Sequence, residues 1–599
     1  MPSPSTFPRR AATSFALLVT LGGALAAAAA ERRPVEELIP ERANLVLAIR
    51  DGAELRQVIR GQSPFLAEPK IKEFLEGIGM SPQAAADKFR EETGLVLEDI
   101  LSACEGPAAV ALFLGPDGSL EGDDETGILA IGVKDEPATA ELWKKVKEKI
   151  AESVKDETVR ARDEEFEGAE IWALTTREAA AAGAEKAPEE EVEYFCLYNG
   201  HVLMSDDREA MEKAILASKG KEVASLARKA EWKTAMERLG TAADYVIAVD
   251  MVPFIANLRK SAASPQLSGA QLTKSLGLDD VRGVYLGGRI AADGTDVRAF
   301  FHAPSPRTGL PKMFSPADSA LEPDRFAPAD ALSASASNVN FAELMAEAER
   351  LLAELAPQQA AMLPMMLGMI EQQTQVNLKR DLLELLTPPL YSLATESSTP
   401  DGPLNQLLYF RSSDAKKALE SLKKLVTGGA QGMASIEESE FLGYKIASLE
   451  IGLGLEVEDE DVGMPELAFA ATDTHLFISI SGKAAIEDAL RGIGKETRPL
   501  TATDDWKRAT AALPGQRWNV GFTRLGKQWK STLDAMANVA EMSGNEGLEK
   551  LSSLDPAVLA KYMDLTAYTV HSDAAGILLN VRLLPPATPA ANTTPKSDR

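Results

Sequence analysis

The histidines are the first residues to consider, because imidazole is a common general base and metal ligand near neutral pH. The chain of 599 residues contains four, which are His201, His302, His475 and His571. Zinc sites and Ser-His or Cys-His catalysis need paired or clustered histidines, and the sequence has no HExxH, GxSxG, CxxC or P-loop motif. The histidines therefore predict neither a metal centre nor an acyl-transfer site.

Two of the histidines occupy similar settings. YFCLYNGHVLMS at 194–205 and AFAATDTHLFIS at 468–479 each contain an apolar run, a turn, a histidine and a second apolar run, which is typical of a β-hairpin. His201 and His475 could thus form a duplicated ligand site. Neither has Cys, Asp or His nearby at ligand spacing, so the preferred interpretation is a residue that flanks and caps a turn.

Three acidic segments could offer oxygen ligands to calcium. They are GDDETG at 122–127, EKAPEEEVE at 185–193 and EVEDEDVGMPE at 456–466. The Asp-x-Asp-x-Asp-Gly order of a calcium loop is incomplete in all three, and the third comes nearest, with Asp459, Asp461 and Gly463. The preferred interpretation is a set of solvated loops whose charge keeps hairpin edges from pairing with other chains. Calcium is not predicted.

A methionine-rich segment, AAMLPMMLGMIEQQ, is the main apolar feature outside the hairpins. It places Met362, Met365, Met366 and Met369 at helical spacing. Flexible thioether side chains suit surfaces that accept lipids or varied peptides. Methionines at this spacing more often belong to a core, and the core is the interpretation favoured here.

The two cysteines, Cys104 and Cys196, could form one disulfide in an oxidising compartment. Two buried free thiols are favoured instead. The reason is that the matching positions in the second half of the chain are Leu386 and Ala470, which are ordinary core residues.

The N-terminal segment predicts that the protein is exported. Residues 1–30 contain Arg9 and Arg10, then an apolar run and an alanine tract, which is the pattern of a secretory signal peptide with cleavage near Ala30. An uncleaved membrane anchor is the alternative. The remaining chain has no apolar run of membrane-spanning length. The full chain has 63 Lys and Arg against 90 Asp and Glu, a formal charge of −27, which disfavours binding to nucleic acids and to anionic membranes.

The chain also contains an internal repeat. EFEGAEIWAL at 165–174 and EFLGYKIASL at 440–449 share Glu, Phe, Gly, Ile and Leu at the same places. Further matches flank this pair in the same order, with a drifting offset of the kind that loop insertions in a duplicated unit produce. The repeat predicts that the fold is built twice.

Two pairs of matched positions in the repeat lead to specific predictions. Trp232 and Trp506 match one another near the start of a predicted helix, and a paired aromatic residue of this kind more often fills a core than contacts a partner. Asp206 and Ser481 each suit the N-cap of the helix that follows the histidine hairpin.

These patterns predict an α+β fold of two tandem homologous units, each a mostly antiparallel sheet with helices packed on it. A chain of this length exceeds what one hydrophobic core supports. The predicted organisation is a signal peptide at 1–30, unit 1 at 38–303, a Pro- and Ser-rich linker at 304–322, unit 2 at 323–585 and a disordered tail at 586–599.

Two segments resemble a known group of proteins. The pattern Pro-x-x-Ala-x-Leu-x-Leu-x-Ile at 40–49 and the segment TGLVLEDILSACEGPAAVAL at 93–112 resemble a family of exported bacterial proteins known only as domains of unknown function. The resemblance implies a periplasmic or surface location and brings no catalytic residues. Unit 2 departs from it, with Pro388 and Pro389 where unit 1 has Gly106 and Pro107.

The sequence therefore predicts an exported cell-envelope binding or scaffold protein that is not an enzyme, with no catalytic, cofactor-binding or metal-binding residues and no cofactor. Its expected partner is an unidentified protein or apolar ligand of the envelope, with no nucleic acid and no stable membrane insertion after signal cleavage. The alternative is a periplasmic carrier of lipid or another apolar ligand. An enzyme that uses unidentified carboxylates is a third hypothesis.

Overall fold

The computed structural model describes residues 33–50, 65, 67–77, 106–114, 126–133, 136–153, 159–177, 190–240, 243–261, 268–291, 293–396, 404–429, 434–451, 466–493, 498–544 and 546–587. Four features of the sequence prediction lie wholly or mostly outside these residues. They are the signal peptide, Cys104, the larger part of each acidic segment and the terminal tail.

Twenty strands and seventeen α-helices form within the described residues. The strands are β1 Leu45–Ile49, β2 Ala108–Phe113, β3 Thr126–Gly132, β4 Val159–Phe166, β5 Ala169–Arg177, β6 Glu190–Tyr198, β7 His201–Ser205, β8 Tyr245–Asp250, β9 Gly283–Ala291, β10 Gly294–His302, β11 Ser333–Ser337, β12 Leu386–Thr395, β13 Asn405–Ser412, β14 Ala434–Phe441, β15 Tyr444–Ile451, β16 Leu467–Ala471, β17 His475–Ser479, β18 Asn519–Thr523, β19 Leu565–Ser572 and β20 Gly576–Leu584.

The helices are α1 Val35–Leu38, α2 Pro69–Gly77, α3 Glu136–Ser153, α4 Arg208–Ser218, α5 Ala230–Leu239, α6 Met251–Ser261, α7 Gly269–Ser275, α8 Gly309–Met313, α9 Phe341–Leu355, α10 Pro357–Thr374, α11 Leu378–Asp381, α12 Ala415–Gly429, α13 Lys483–Arg491, α14 Asp504–Thr510, α15 Leu525–Ser543, α16 Glu546–Ser552 and α17 Pro556–Tyr562. The combination of many helices with antiparallel sheets confirms the predicted α+β class.

The chain divides into two compact units. Unit 1 comprises the described residues up to 291, together with 296–315 and 572–579. Unit 2 comprises 293–295, 316–571 and the described residues from 580 onward.

In unit 1 the strands are ordered β10, β9, β8, β1, β2, β3, β7, β6, β5, β4. The pairings from β9 to β4 are antiparallel. Because side chains alternate along a strand, neighbouring residues of β3 point to opposite faces of the sheet and belong to different cores. Ile128 belongs to the core that contains Met211 and Ile215 of α4, whereas Leu129 belongs to the core against which Leu142 of α3 packs.

In unit 2 the order is β20, β19, β18, β11, β12, β13, β17, β16, β15, β14, again antiparallel from β19 to β14. Tyr409 and Phe410 are neighbours on β13 and serve opposite faces. Tyr409 lies in the core of Ile486 on α13, and Phe410 lies in the core of Leu419 on α12. The strand order is the same in both units, while their common descent stays a prediction.

The repeated glycine segment forms a tight turn in each unit. In unit 1 the turn between β4 and β5 holds Glu167 at φ 53° and Gly168 at φ 79°. In unit 2 the turn between β14 and β15 holds Leu442 at φ 52° and Gly443 at φ 83°. Two successive residues with positive φ are what a two-residue hairpin needs to match the twist of its strands. The predicted glycine turn is confirmed at both places.

The predicted tryptophan positions are also confirmed. Trp232 and Trp506 are buried, and each contacts an aromatic ring of its own core. The Trp232 ring centroid lies 6.5 Å from that of Tyr285, and the Trp506 centroid lies 5.9 Å from that of Phe522.

The predicted N-caps are wrong by one residue. Asp207 caps α4 by accepting a hydrogen bond from the backbone N–H of Ala210, and Gly482 precedes α13 without a side-chain cap. Asp206 and Ser481 instead accept hydrogen bonds from neighbouring strands, from the N–H groups of Gly127 and Gln406. The sequence pattern locates each helix but does not distinguish two adjacent polar residues.

Candidate functional site

The two matched histidines are each the first residue of a strand and are buried. His201 Nδ1 lies 2.9 Å from the carbonyl oxygen of Asn199, and His475 Nδ1 lies 2.9 Å from the hydroxyl of Thr474. Each imidazole thus bonds to its own turn, as the preferred interpretation stated. In the turn before His201, the residues with positive φ are Asn199 at 47° and Gly200 at 72°. The histidine itself does not have a positive φ.

His475 also belongs to a buried polar cluster that sequence reasoning missed. The hydroxyl of Tyr409 donates to Oδ1 of Asp324 at 2.8 Å, and Nε2 of His475 lies 3.7 Å from Oδ2 of the same carboxylate. No hydrogen-bond partner for this Nε2 occurs in the described part of the chain. Burial lowers the pKa of His475 and raises that of Tyr409 well above its usual value.

Aromatic rings enclose this cluster. Phe326 meets His475, Tyr409 and Phe477 edge-on, with centroid distances of 5.2, 5.5 and 5.3 Å. Tyr391 stacks on Tyr409 at 4.8 Å. A substrate would have to displace these rings, so the cluster acts as part of the core. Asp324 and His475 are 151 positions apart, and no local pattern links them.

The other two histidines have different surroundings. His302 stacks on Phe300 at 5.5 Å, and burial lowers its pKa. His571 pairs with Asp318. Within the described ranges, no three His, Cys, Asp or Glu side chains group in a way that could hold a metal ion.

Cys196 is buried and free on β6. Its neighbours across the sheet are Ile171 on β5 and Leu203 on β7. Burial raises the pKa of its thiol to about 12, which removes the thiolate needed for nucleophilic or redox chemistry. The predicted buried thiol is therefore confirmed for Cys196, while Cys104 lies outside the described residues.

The methionine segment forms α10, and its predicted place in a core is wrong. The less exposed positions of α10 are Ala360, Leu363, Leu367 and Thr374. The larger apolar side chains project from the rest of the helix and are between 37% and 57% exposed; they are Met362, Met365, Met366, Met369 and Ile370. We call these five residues the methionine stripe.

The stripe follows an i, i+3, i+4, i+7, i+8 spacing, which places its members along one side of a helix. No charged residue occurs from Pro357 to Ile370. Single exposed apolar residues are ordinary on protein surfaces, but a contiguous exposed set marks an interaction surface. The stripe is therefore the candidate functional site.

Charge beside the stripe comes from the two helices that pack against α10. α9 carries four Glu and one Arg, while α12 carries four Lys and one Glu. Three of the four Glu and three of the four Lys form ion pairs within the described residues, so most of this charge is balanced. Within the part of the chain that the structure describes, no helix has both the length and the hydropathy that a membrane span requires.

Comparisons with known proteins give a family and two distant structures. A family model described as "Protein of unknown function (DUF3352)" matches residues 87–571. No curated protein matches the chain. Two crystal forms of TP0453 match at 10% and 11% identity, covering 45% and 48% of this chain and 81% and 86% of theirs. Their TM-scores are 0.22 and 0.23, and a likeness of this degree carries no argument about activity.

Proposed function

The chain belongs to the DUF3352 family of proteins of unknown function, and we propose that it is an exported, non-enzymatic binding or scaffold protein of the cell envelope. In this proposal the methionine stripe of α10 docks a helical segment of a partner protein. The N-terminal signal pattern supports export. The exposure of the stripe is the observation that carries the docking function.

The spacing of the stripe supports a helix as its occupant. Side chains at i, i+3, i+4 and i+7 are the anchors through which one helix lies against another. Methionine suits such a contact because its unbranched thioether adapts to the shape of the partner. Covering a half-exposed Met side chain contributes about 1 kcal/mol, so four such residues together with Ile370 can support a specific complex.

The surroundings of the stripe support a partner helix that binds mainly through its apolar face. Most charges of α9 and α12 are already paired within this chain, so they offer a partner little net charge. Glutamines at both ends of α10, at 358–359 and 372–373, would form an uncharged rim.

The carrier alternative requires an enclosed groove lined by methionines. The residues of the stripe are instead 37% to 57% exposed, which supports an open surface more than an enclosure. The carrier therefore has less support than the scaffold.

Photo-crosslinking in cells tests the proposal. A photoreactive residue at Met366, in the middle of the stripe, should give a discrete protein adduct, because the partner helix would lie within reach. The same photoreactive residue at Val539 is the control, since Val539 is an apolar side chain on α15, 49% exposed and outside the stripe. Met362→Glu with Met369→Glu should abolish the adduct while circular dichroism shows a folded chain. Equal adducts at both positions, or adducts with lipid alone, would overturn the proposal.

A further inference from the structure

A cleft of about 170 Å³ opens in unit 2 beneath α13. Its walls come from α13, from β12 and β13, and from the segment that precedes β11. Apolar side chains form most of the surface, with Phe326, Leu393 and Leu407 on one side and Ala485 and Ala489 of α13 on the other. None of the methionine stripe lines it, so the cleft is a separate feature.

Two arginines also line the cleft, and they differ in their partners. Arg491 is neutralised, because it pairs with Asp488 and lies 3.3 Å from Glu487. Arg325 is exposed and forms no ion pair with any described residue, although Asp and Glu outnumber Lys and Arg by 90 to 63 in this chain. Its guanidinium lies 5.2 Å from the centre of the Phe326 ring. An unneutralised cation thus stands beside an apolar wall.

The wall that carries this cation is held in place from behind. The backbone N–H of Phe326 donates to Asp324 at 2.9 Å, and the Phe326 ring packs on Tyr409, His475 and Phe477. The buried cluster therefore fixes the ring of Phe326 and the backbone beside it before any ligand arrives. Such preorganisation lowers the entropy cost of binding.

From this geometry we propose that the cleft binds a small monocarboxylate with a compact apolar body, such as a benzoate-sized acid. The carboxylate lies on Arg325, since a guanidinium matches it with two parallel hydrogen bonds. The body lies against Phe326, Leu407 and Ala489. An apolar cavity of about 150 Å³ accepts benzene, so a cleft of this volume has room for one ring.

The charge of the site limits the charge of the ligand. Asp488 lines the cleft but is paired with Arg491, so it adds little net charge. The C-terminal end of α13 also borders the cleft and places the negative pole of its helix dipole there. The single guanidinium of Arg325 balances one negative charge, so we expect a monocarboxylate to bind better than a dianion such as a phosphate monoester.

Calorimetry with the full chain and benzoate as the probe tests the site. We expect a dissociation constant of about 1 mM or below, and weaker binding of benzyl alcohol, which has the ring without the charge. Arg325→Gln should weaken benzoate binding about tenfold. Arg160→Gln is the matched control, because Arg160 is an exposed arginine of unit 1.

A second variant separates loss of the site from loss of the fold. Ala489→Leu should fill the cleft and abolish binding, and its thermal midpoint shows whether the chain remains folded. Absence of benzoate binding by the natural chain, or equal binding by Arg325→Gln, would overturn the proposal. Either result leaves the crosslinking test of the methionine stripe unaffected, since no residue is shared.

Discussion

The two units place different residues at equivalent points of the same strand order. In unit 1, Ala109, Ala130 and Leu203 face one another across β2, β3 and β7. In unit 2, the corresponding positions on β12, β13 and β17 are Tyr391, Tyr409 and Phe477.

Unit 1 fills the space above its small residues with Val35, Leu38 and Ile39 of the α1 segment, whereas unit 2 fills it with its own rings and Phe326. At these positions the same sheet topology accommodates aliphatic side chains in unit 1 and aromatic rings in unit 2. The aliphatic side chains need no polar partner. Tyr409 brings a buried hydroxyl, which must be satisfied. Asp324 supplies that partner in unit 2, and its segment also forms the wall of the α13 cleft.

The largest effect should come from truncating the aromatic core. Phe477→Ala removes a fully buried ring, and we expect a loss of about 3–5 kcal/mol in the free energy of unfolding. Leu203→Ala is the matched change in unit 1 and should cost about 2–4 kcal/mol. Urea unfolding measured by tryptophan fluorescence gives both values. A much smaller loss for Phe477→Ala would mean that the ring is not packed as described.

A smaller effect should come from the hydroxyl of Tyr409. Tyr409→Phe keeps the ring but leaves Oδ1 of Asp324 without this donor, so we expect a loss of about 1–2 kcal/mol. The double variant with Asp324→Asn should recover part of this loss, because no buried charge then remains. Urea unfolding of the two variants separates the contributions, and an unchanged stability in Tyr409→Phe would contradict the role of Asp324.

The cluster should also make unit 2 sensitive to acid. Burial lowers the pKa of His475 below its ordinary value of 6.5, although Asp324 acts in the opposite direction and Arg411 and Arg325 add to the lowering. Below pH 6.5 the unfolded chain therefore binds more protons than the folded chain, and stability falls as the pH falls.

His475→Gln should reduce this slope by about 1 kcal/mol per pH unit. His571→Gln is the control in unit 2. Thermal midpoints measured from pH 7.5 to pH 5 test the difference, and equal slopes for His475→Gln and the natural chain would contradict the prediction.

The units also differ in the residue that stands two positions before the helix that follows the histidine hairpin. In each unit this residue accepts a hydrogen bond from the N–H of a neighbouring strand. Unit 1 uses the carboxylate of Asp206 and unit 2 uses the hydroxyl of Ser481. Desolvation raises the pKa of Asp206 from 3.8 to about 6, so the folded chain binds more protons than the unfolded chain between these values. Stability is therefore lost as the pH rises through this window.

Asp206→Asn should raise stability at pH 7 and not at pH 3.5. Because Asp206 is exposed to solvent, the gain should be about 1 kcal/mol or less. Differential scanning calorimetry at the two pH values would show it, and an equal gain at both would rule out the carboxylate as the cause.

The smallest effect should come from the hairpin turns. Leu442 holds a positive φ on an exposed position, where asparagine is more favourable, so Leu442→Asn should add about 0.5–1 kcal/mol. The equivalent Glu167 binds Lys219 and Lys221 at 3.0 and 2.9 Å, so Glu167→Asn should add less or nothing. Equal gains in the two variants, compared by thermal unfolding, would show that these lysine contacts contribute nothing.

Much of the fold was accessible from the sequence because it depends on local patterns. The hairpins, the glycine turns and the buried tryptophans follow from periodicity and turn chemistry. The exposure of the methionine stripe did not follow, because periodicity shows which residues share one side of a helix but not whether another element covers that side. The Asp324 cluster did not follow either, because its members meet only through the tertiary structure.

Methionine oxidation tests the central claim, which is that a partner covers the stripe in the cell envelope. A chain that carries Val539→Met supplies an exposed reference methionine on α15, outside the stripe. With peroxide and mass spectrometry, this chain in purified form should be oxidised at the four methionines of the stripe and at the reference methionine, while the buried Met211 stays intact. In cell envelopes we predict that the four methionines of the stripe are protected and the reference methionine is not. Oxidation of the stripe to the same extent as the reference methionine in the envelope would contradict this account.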